Sequence, residues 1–252
     1  MSREALLGIR AGLVAAVEDL DRLLAELAPP AASPGPSPSG ADSAWADSAA
    51  ATPLAWSAKV STVFCDRVRW ICENLDIGSK PGRPAPDWLM TWIAWETGRS
   101  FRADIRNMAG SGATGLIQFM PDTALHFFHT KAAIAKMTKA QRQAAGRAAC
   151  DRLAALTPED QLNYVYRYFK PYAGRIRSLA DGYMAILWPA AIGQPLSAPL
   201  WDRTSRPTTY RQNAGLDVDK DGVITKGEAA AKVTALLAEG LQPANVARGN
   251  VA

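Results

Sequence analysis

The sequence predicts a mainly α-helical protein: a helical body preceded by an amphipathic helix and followed by an acidic loop with a helix of its own. Three observations carry this. Apolar residues recur near every 3.6 positions in one segment after another between residues 56 and 188, with Gly and Pro between the segments. Strand-like alternation is scarce. The chain has 252 residues and is 48% hydrophobic, enough for one good-sized core and a small accessory unit.

Taken in order, residues 3–27 read as an amphipathic helix, with Leu6, Leu13, Val17, Leu20, Leu24 and Leu27 among the apolar positions and acidic residues opposite. Residues 29–51 are rich in Ala, Pro and Ser, a composition that reads as a semi-extended linker. The first helix therefore either docks elsewhere or packs back on the body. The division expected is a helix over 1–28, a linker over 29–55, a helical domain over 56–200 and a loop segment over 201–252. Within the body, helices are expected at 59–75, 87–97, 121–129, 131–154, 158–170 and 174–188.

The stretch from Pro86 to Pro121 is the most informative. Pro86 or Asp87 is placed to start a helix carrying Trp88, Leu89, Trp92, Ile93 and Trp95, and Thr97-Gly98 is placed to close it. Glu96 falls in its last turn. The negative end of the helix dipole and the apolar neighbours both disfavour a charged carboxyl there, so its pKa is expected to rise, as a general acid requires. The alternative is a solvated glutamate or one paired with Arg99 or Arg102. After it, Ala109-Gly110-Ser111-Gly112-Ala113-Thr114-Gly115 lets the backbone turn sharply or approach a partner closely. No Gly-Lys-Ser/Thr follows, so this is a poor phosphate loop.

Glu96-Thr97-Gly98, Phe101, then Gly112-Ala113-Thr114-Gly115-Leu116-Ile117-Gln118-Phe119-Met120-Pro121 and Thr123-Ala124 together resemble the signature of soluble lytic transglycosylase domains, in the lysozyme-like superfamily. Thr97 stands for the family's usual serine and Ile117 for its methionine, and the interval from Glu96 to Gln118 is longer than usual. Ala180-Asp181-Gly182-Tyr183-Met184-Ala185 occupies the place of the family's Ala-x-Tyr-Asn-Ala-Gly, with Met184 departing from the asparagine. The resemblance implies a lysozyme-like fold, α+β with a minimal hairpin near 99–117. It also implies cleavage of the MurNAc-GlcNAc bond of peptidoglycan by Glu96 alone, leaving 1,6-anhydro ends. Gln118, Tyr183 and, by offset, Ser111 and Asn107 would then contact substrate. On the residues alone, the alternative is that Gln118 ties the glycine turn to the helix backbone and that Tyr183 is a core aromatic. Asp104, between Arg102 and Arg106, and Asp122, at a helix start, do not match a second catalytic acid. A hydrolytic muramidase and a non-catalytic wall-binding or structural module remain as alternatives.

Residues 1–55 hold three basic and seven acidic side chains, net −4, leaving 25 basic and 17 acidic ones, net +8, for the rest. A basic body suits an anionic polymer such as peptidoglycan with its associated acids. Lys131, Lys136, Lys139, Arg142, Arg147 and Arg152 contribute, although a solvated helix face explains such a run as well. No nucleic-acid motif is present, and no apolar run is long enough for a membrane span. Charged residues interrupt the N-terminal apolar positions, so no signal peptide is expected there. This pattern, with the N-terminal helix as a tether to phage structural proteins, resembles virion- or tail-associated transglycosylases that act on the bacterial cell wall. Cys65, Cys72 and Cys150 lack metal-like spacing and are expected to be buried thiols. His126 and His129, three apart, are expected on one helix face in a packing role.

Beyond Pro195 the texture changes. Residues 201–210 read as a polar connector, and then Asp217-Val218-Asp219-Lys220-Asp221-Gly222-Val223-Ile224-Thr225-Lys226-Gly227-Glu228 fits the calcium loop D-x-D-x-D-G-x-I-x-x-x-E. Asp217, Asp219, Asp221, the Val223 carbonyl, Thr225 through water and a bidentate Glu228 would hold Ca2+ as a structural ion. With only a short helix upstream and the helix 226–238 after it, the segment resembles half an EF-hand.

Overall fold

The computed structural model describes residues 52–107 and 110–247. The N-terminal helix and linker expected over 3–51 lie outside the described residues. Within them the chain is mainly helical, with nine α-helices and one two-stranded antiparallel sheet. Helix α1 is Thr62–Asn74, α2 Pro86–Glu96, α3 Pro121–Phe128, α4 Lys131–Ala135, α5 Lys139–Ala154, α6 Pro158–Phe169, α7 Leu179–Leu187, α8 Pro207–Asn213 and α9 Lys226–Gly240. Strands β1, Pro199–Asp202, and β2, Val223–Thr225, form the sheet.

Local chemistry sets most of these boundaries. Pro86 occupies the first turn of α2, whereas the Asp87 carboxylate turns aside to accept the Ala55 amide at 2.7 Å. The helix expected over 131–154 is two helices. Thr138 forms a capping box with Gln141, and a hydroxyl that satisfies free amides at that point starts a new helix rather than extending the old one. Likewise Ser178 caps α7 through the Asp181 amide, so that helix begins at Leu179 and not near 174. His129 lies past the end of α3 with extended backbone, so it does not share a helix face with His126.

The strand content is not where it was expected. The described residues between 99 and 117 hold no strand, only single bridges of Arg106 with Thr114 and Thr114 with Phe119. Glycines and left-handed residues prevent a continuous ladder in this stretch. The sheet instead joins the supposed connector to the acidic loop, pairing Trp201 with Ile224 and Asp202 with Val223. Trp201 is buried edge-on against Trp188, which gives this polar-looking segment an apolar anchor.

Packing centres on Trp92. Its ring lies 5.6 Å from that of Phe169, its Nε1 donates to the Leu179 carbonyl at 3.1 Å, and α7 comes close because residue 182 is glycine. A Cβ there would sit 2.0 Å from the Trp92 ring. Helix α9 packs on both α2 and α7, and its Ala229, Ala230, Val233 and Leu236 belong to the same core. At its far end Gly240 accepts the Trp56 amide at 3.0 Å and lies against the Trp56 ring.

At its near end, Lys226 is buried with Nζ 2.5 Å from Asp181 Oδ1 and 2.7 Å from the Gln194 carbonyl. Asp181 also accepts the Gly193 and Arg177 amides. Burial pushes the Asp181 carboxyl up, but the Lys226 ammonium and the hydrogen bonds outweigh it and hold it below the usual carboxylate range. A depressed folded-state pKa contributes stability that is complete above the unfolded value, about 3.9, and is lost as pH falls through the folded one. We expect Lys226→Met, which leaves a buried carboxylate unpaired, to cost about 3–5 kcal/mol in denaturant unfolding at neutral pH. That penalty should shrink on acidification, and a penalty independent of pH would mean that Asp181 is not its source.

Candidate active site and metal loop

Glu96 is the last residue of α2 and is buried. Beyond it the Gly98 amide donates to the Trp95 carbonyl and the Arg99 amide to the Ala94 carbonyl, the paired bonds of a glycine-terminated helix, with Gly98 at φ 58°. Arg99 and Phe101 are also left-handed, at φ 69° and 52°, a conformation that costs energy for residues with a Cβ. Two contacts hold it. The Thr97 hydroxyl donates to the Ile93 carbonyl at 2.7 Å and accepts the Phe101 amide at 3.0 Å. Arg99 forms a bidentate pair with Glu239 of α9, at 2.7 and 2.6 Å.

The glycine segment is a tight turn. Thr114 and Phe119 exchange backbone bonds around Gly115 to Gln118, and the Gly115 amide donates to the Ile105 carbonyl. Gln118 is buried at φ 55°, and its side-chain nitrogen donates to the carbonyls of Gly115 and Ile105 at 3.1 and 3.3 Å. It thus does what the second of the two sequence readings asks, tying the turn to the backbone. Asn107 is buried beside the turn, its amide donating to the Ala113 carbonyl, and the half-buried Ser111 hydroxyl accepts the Ala113 amide at 3.3 Å. Tyr183 is buried on α7, its ring edge-on to Trp95 at 6.4 Å. Since α2 and α7 pack together, this contact places Tyr183 against the residue that precedes Glu96.

Sequence reasoning missed Gln161. Fully buried in α6, it accepts the Leu116 amide at 2.7 Å and donates to the carbonyls of Ala103 and Leu153. One amide thus fastens the glycine turn, the segment after Glu96 and the end of α5. The available signal was a glutamine beside Leu162 on the apolar side of that helix.

The other carboxylates near the turn have different roles. Asp104 is exposed and gripped by Arg102 at 2.8 and 2.7 Å, and that guanidinium holds its carboxyl below the usual range. Asp122 is exposed in the first turn of α3. The six basic residues expected on a helix face are all exposed, five of them on α4 and α5 and Lys136 directly after α4. All three cysteines are buried free thiols, and burial raises their pKa values, which suits packing rather than nucleophilic attack.

In the acidic loop, one carboxylate oxygen from each of Asp217, Asp219 and Asp221 lies within 4.8 Å of the others. Asp217 is buried, and its Oδ2 accepts the Tyr210 hydroxyl and the Gly222 amide. Its Oδ1 is buried with no protein donor, as a ligand oxygen would be. The Tyr210 bond holds this carboxyl below the usual range against the opposing effect of burial. Lys220 and Gly222 take left-handed backbone, at φ 62° and 93°, to curl the loop. Val223 opens β2, and Thr225 caps α9. Glu228 accepts from the amides of Val218 and Thr225 at 2.8 and 2.9 Å and from the Thr225 hydroxyl at 2.8 Å, completing the capping box of α9. An all-oxygen, acceptor-rich set of this kind fits a hard divalent cation.

Gly115→Ala tests the turn. An added Cβ would lie 2.3 Å from Gln161 Oε1, in a side chain whose amide group is held by three hydrogen bonds, at a backbone angle that disfavours any side chain. We expect a loss of about 2–4 kcal/mol in urea unfolding. A loss near zero would show that Gln161 moves freely. No known protein family, curated protein or solved structure matches this chain.

Proposed function

We propose that the chain is a peptidoglycan lytic transglycosylase of lysozyme-like architecture, with Glu96 as its single acid and base. The observation that carries the reading is a buried carboxyl in the final turn of α2, followed by the backbone-strained segment 98–101 and the glycine turn. Acid and base work of this kind needs a carboxyl held in a fixed place beside the bond to be cut, and the end of a helix supplies one. Tyr183, against Trp95, supports the same cleft from α7.

In this mechanism Glu96 gives its proton to the glycosidic oxygen as the C1–O bond of MurNAc breaks. The resulting carboxylate takes the proton from the C6 hydroxyl of the same sugar, whose oxygen bonds to C1 and closes the 1,6-anhydro ring. No water is consumed and Glu96 ends protonated. Because the nucleophile belongs to the substrate, no second carboxylate is needed. That agrees with the commitment of Asp104 to Arg102 and the exposed position of Asp122. Asn107, Ser111 and Gln118 shape the turn at the cleft, and the basic α4–α5 face suits an anionic wall polymer. Delivery on a phage particle, with the N-terminal segment held by virion proteins, completes the proposal. In it, Asp217, Asp219, Asp221 and Glu228, with the Val223 carbonyl and Thr225, hold a structural calcium ion that crosslinks the loop.

Incubation with purified peptidoglycan should release anhydro-ended muropeptides by mass spectrometry, and Glu96→Gln should lower the rate by about 10²–10⁴-fold while the fold is kept. Reducing ends would replace transglycosylation by hydrolysis, and no product from the wild type would leave a non-catalytic wall-binding module. For the loop, saturating calcium should raise the melting temperature by several degrees, the effect of roughly 2–3 kcal/mol of ligand binding, and excess chelator should reverse it. Identical melting with calcium and with chelator would remove the ion from the account.

A further inference from the structure

Arg203 follows β1 directly and lies beside the acidic loop and Tyr210. Its backbone amide donates to the Gly222 carbonyl at 3.0 Å, and its Nε donates to the Tyr210 hydroxyl at 2.9 Å. The guanidinium stands over the Tyr210 ring at 5.2 Å, and its Nη2 is 3.9 Å from Asp217 Oδ2. The aliphatic stem crosses Gly222, where an added Cβ would come within 3.1 Å of Arg203 Cδ. The side chain is therefore held in place although more than half of it faces solvent.

This placement has two electrostatic effects of opposite sign. Three carboxylates converge within 4.8 Å and repel one another, and a fixed positive charge at Asp217 relieves that repulsion when no cation is bound. The same charge opposes any divalent cation that the loop takes up. Asp217 Oδ2 is already committed to Tyr210 and Gly222, so Arg203 does not occupy the buried, donor-free Oδ1 and does not block the site sterically.

We propose that Arg203 is the resident counter-cation of this loop and sets its affinity for calcium. It keeps the loop in the weak range of about 10⁻⁴–10⁻³ M typical of extracellular sites, so that it fills at millimolar calcium and not at cytosolic levels. The proposal rests on the reading of the loop as a calcium site and is independent of the chemistry assigned to Glu96.

The test is calorimetric titration of the full chain with calcium chloride. Wild type should half-saturate at about 10⁻⁴–10⁻³ M, and Arg203→Met, which keeps the stem over Gly222 but removes the charge, should bind about 3–10-fold more tightly. Arg203→Lys, which keeps the charge, should stay within about twofold of wild type. Should the methionine variant fail to fold, Arg203→Gln keeps a donor for Tyr210 and serves in its place. Equal or weaker binding by the uncharged variant would overturn the proposal, as would micromolar saturation of the wild type. No heat from the wild type at several millimolar calcium would overturn both the proposal and the calcium reading, and peptidoglycan cleavage by that same sample would leave the Glu96 reading standing.

Discussion

The contact on which the rest of the arrangement depends is the buried pair of Lys226 and Asp181. Lys226 is the tenth residue of the acidic loop and the first of α9, and Asp181 lies in the first turn of α7, two residues before Tyr183. Removing both charges from water costs several kcal/mol per ion, and their attraction returns that only with further hydrogen bonds. Gln194, Gly193 and Arg177 provide them. Such a pair adds little net stability over a well-packed apolar contact. What the contact does fix is a point of attachment: the first residue of α9 is bonded to the first turn of α7. From that point α9 runs along α2 and α7 to Glu239, which grips Arg99 three residues beyond Glu96. The loop segment is thus part of the frame that holds the candidate site, not an appendage to it.

The energetics around Glu96 follow from this frame. Arg99, Phe101 and Gln118 all carry side chains on left-handed backbone, each at a cost of about 1 kcal/mol or more. Every one is held by a specific bond: Arg99 by Glu239, Phe101 through its amide to the Thr97 hydroxyl, and Gln118 through its amide group to Gly115 and Ile105. Strain retained at three positions in the two halves of one motif, and offset each time by buried or bidentate contacts, is the pattern expected where geometry is kept for function rather than for stability.

How much of this was legible in the sequence depends on the range of the interaction. Pro86 and Gly98 act within a few residues, so their roles could be read directly, as could the mainly helical class. The cap at Thr138 is equally local, but its Ala-rich surroundings carry no apolar stripe strong enough to expose the break at 136–138. Longer-range features could not be read. Trp201 sits in a polar run, and only its partner Trp188 and the pairing with Ile224 make it a core strand residue. Gln161 looks like any polar residue of an amphipathic helix until the glycine turn is folded against it. Tyr183 was singled out by motif position alone, and its contact with Trp95 depends on Gly182 letting α7 close on Trp92.

Glu228 shows how closely the loop and the body are bound together. Its carboxylate completes the capping box of α9 and is the twelfth position of the acidic loop, so the group that would close a cation site is the one that accepts the amides of Thr225, the residue capping the helix, and of Val218 in the loop. Burial pushes this carboxyl up, but its bonds to Thr225, Val218 and Asp219 outweigh that and keep it ionised, ready for either duty. Any exchange between these roles is felt where α9 begins, next to Lys226. Because that residue is locked to Asp181 and α9 is locked to Arg99 at its other end, the start of the helix cannot shift without straining α7 or the turn after Glu96. The acidic loop and the backbone around Glu96 are therefore joined through α9, which is the physical reason an ion held in that loop would matter to a glutamate it never touches.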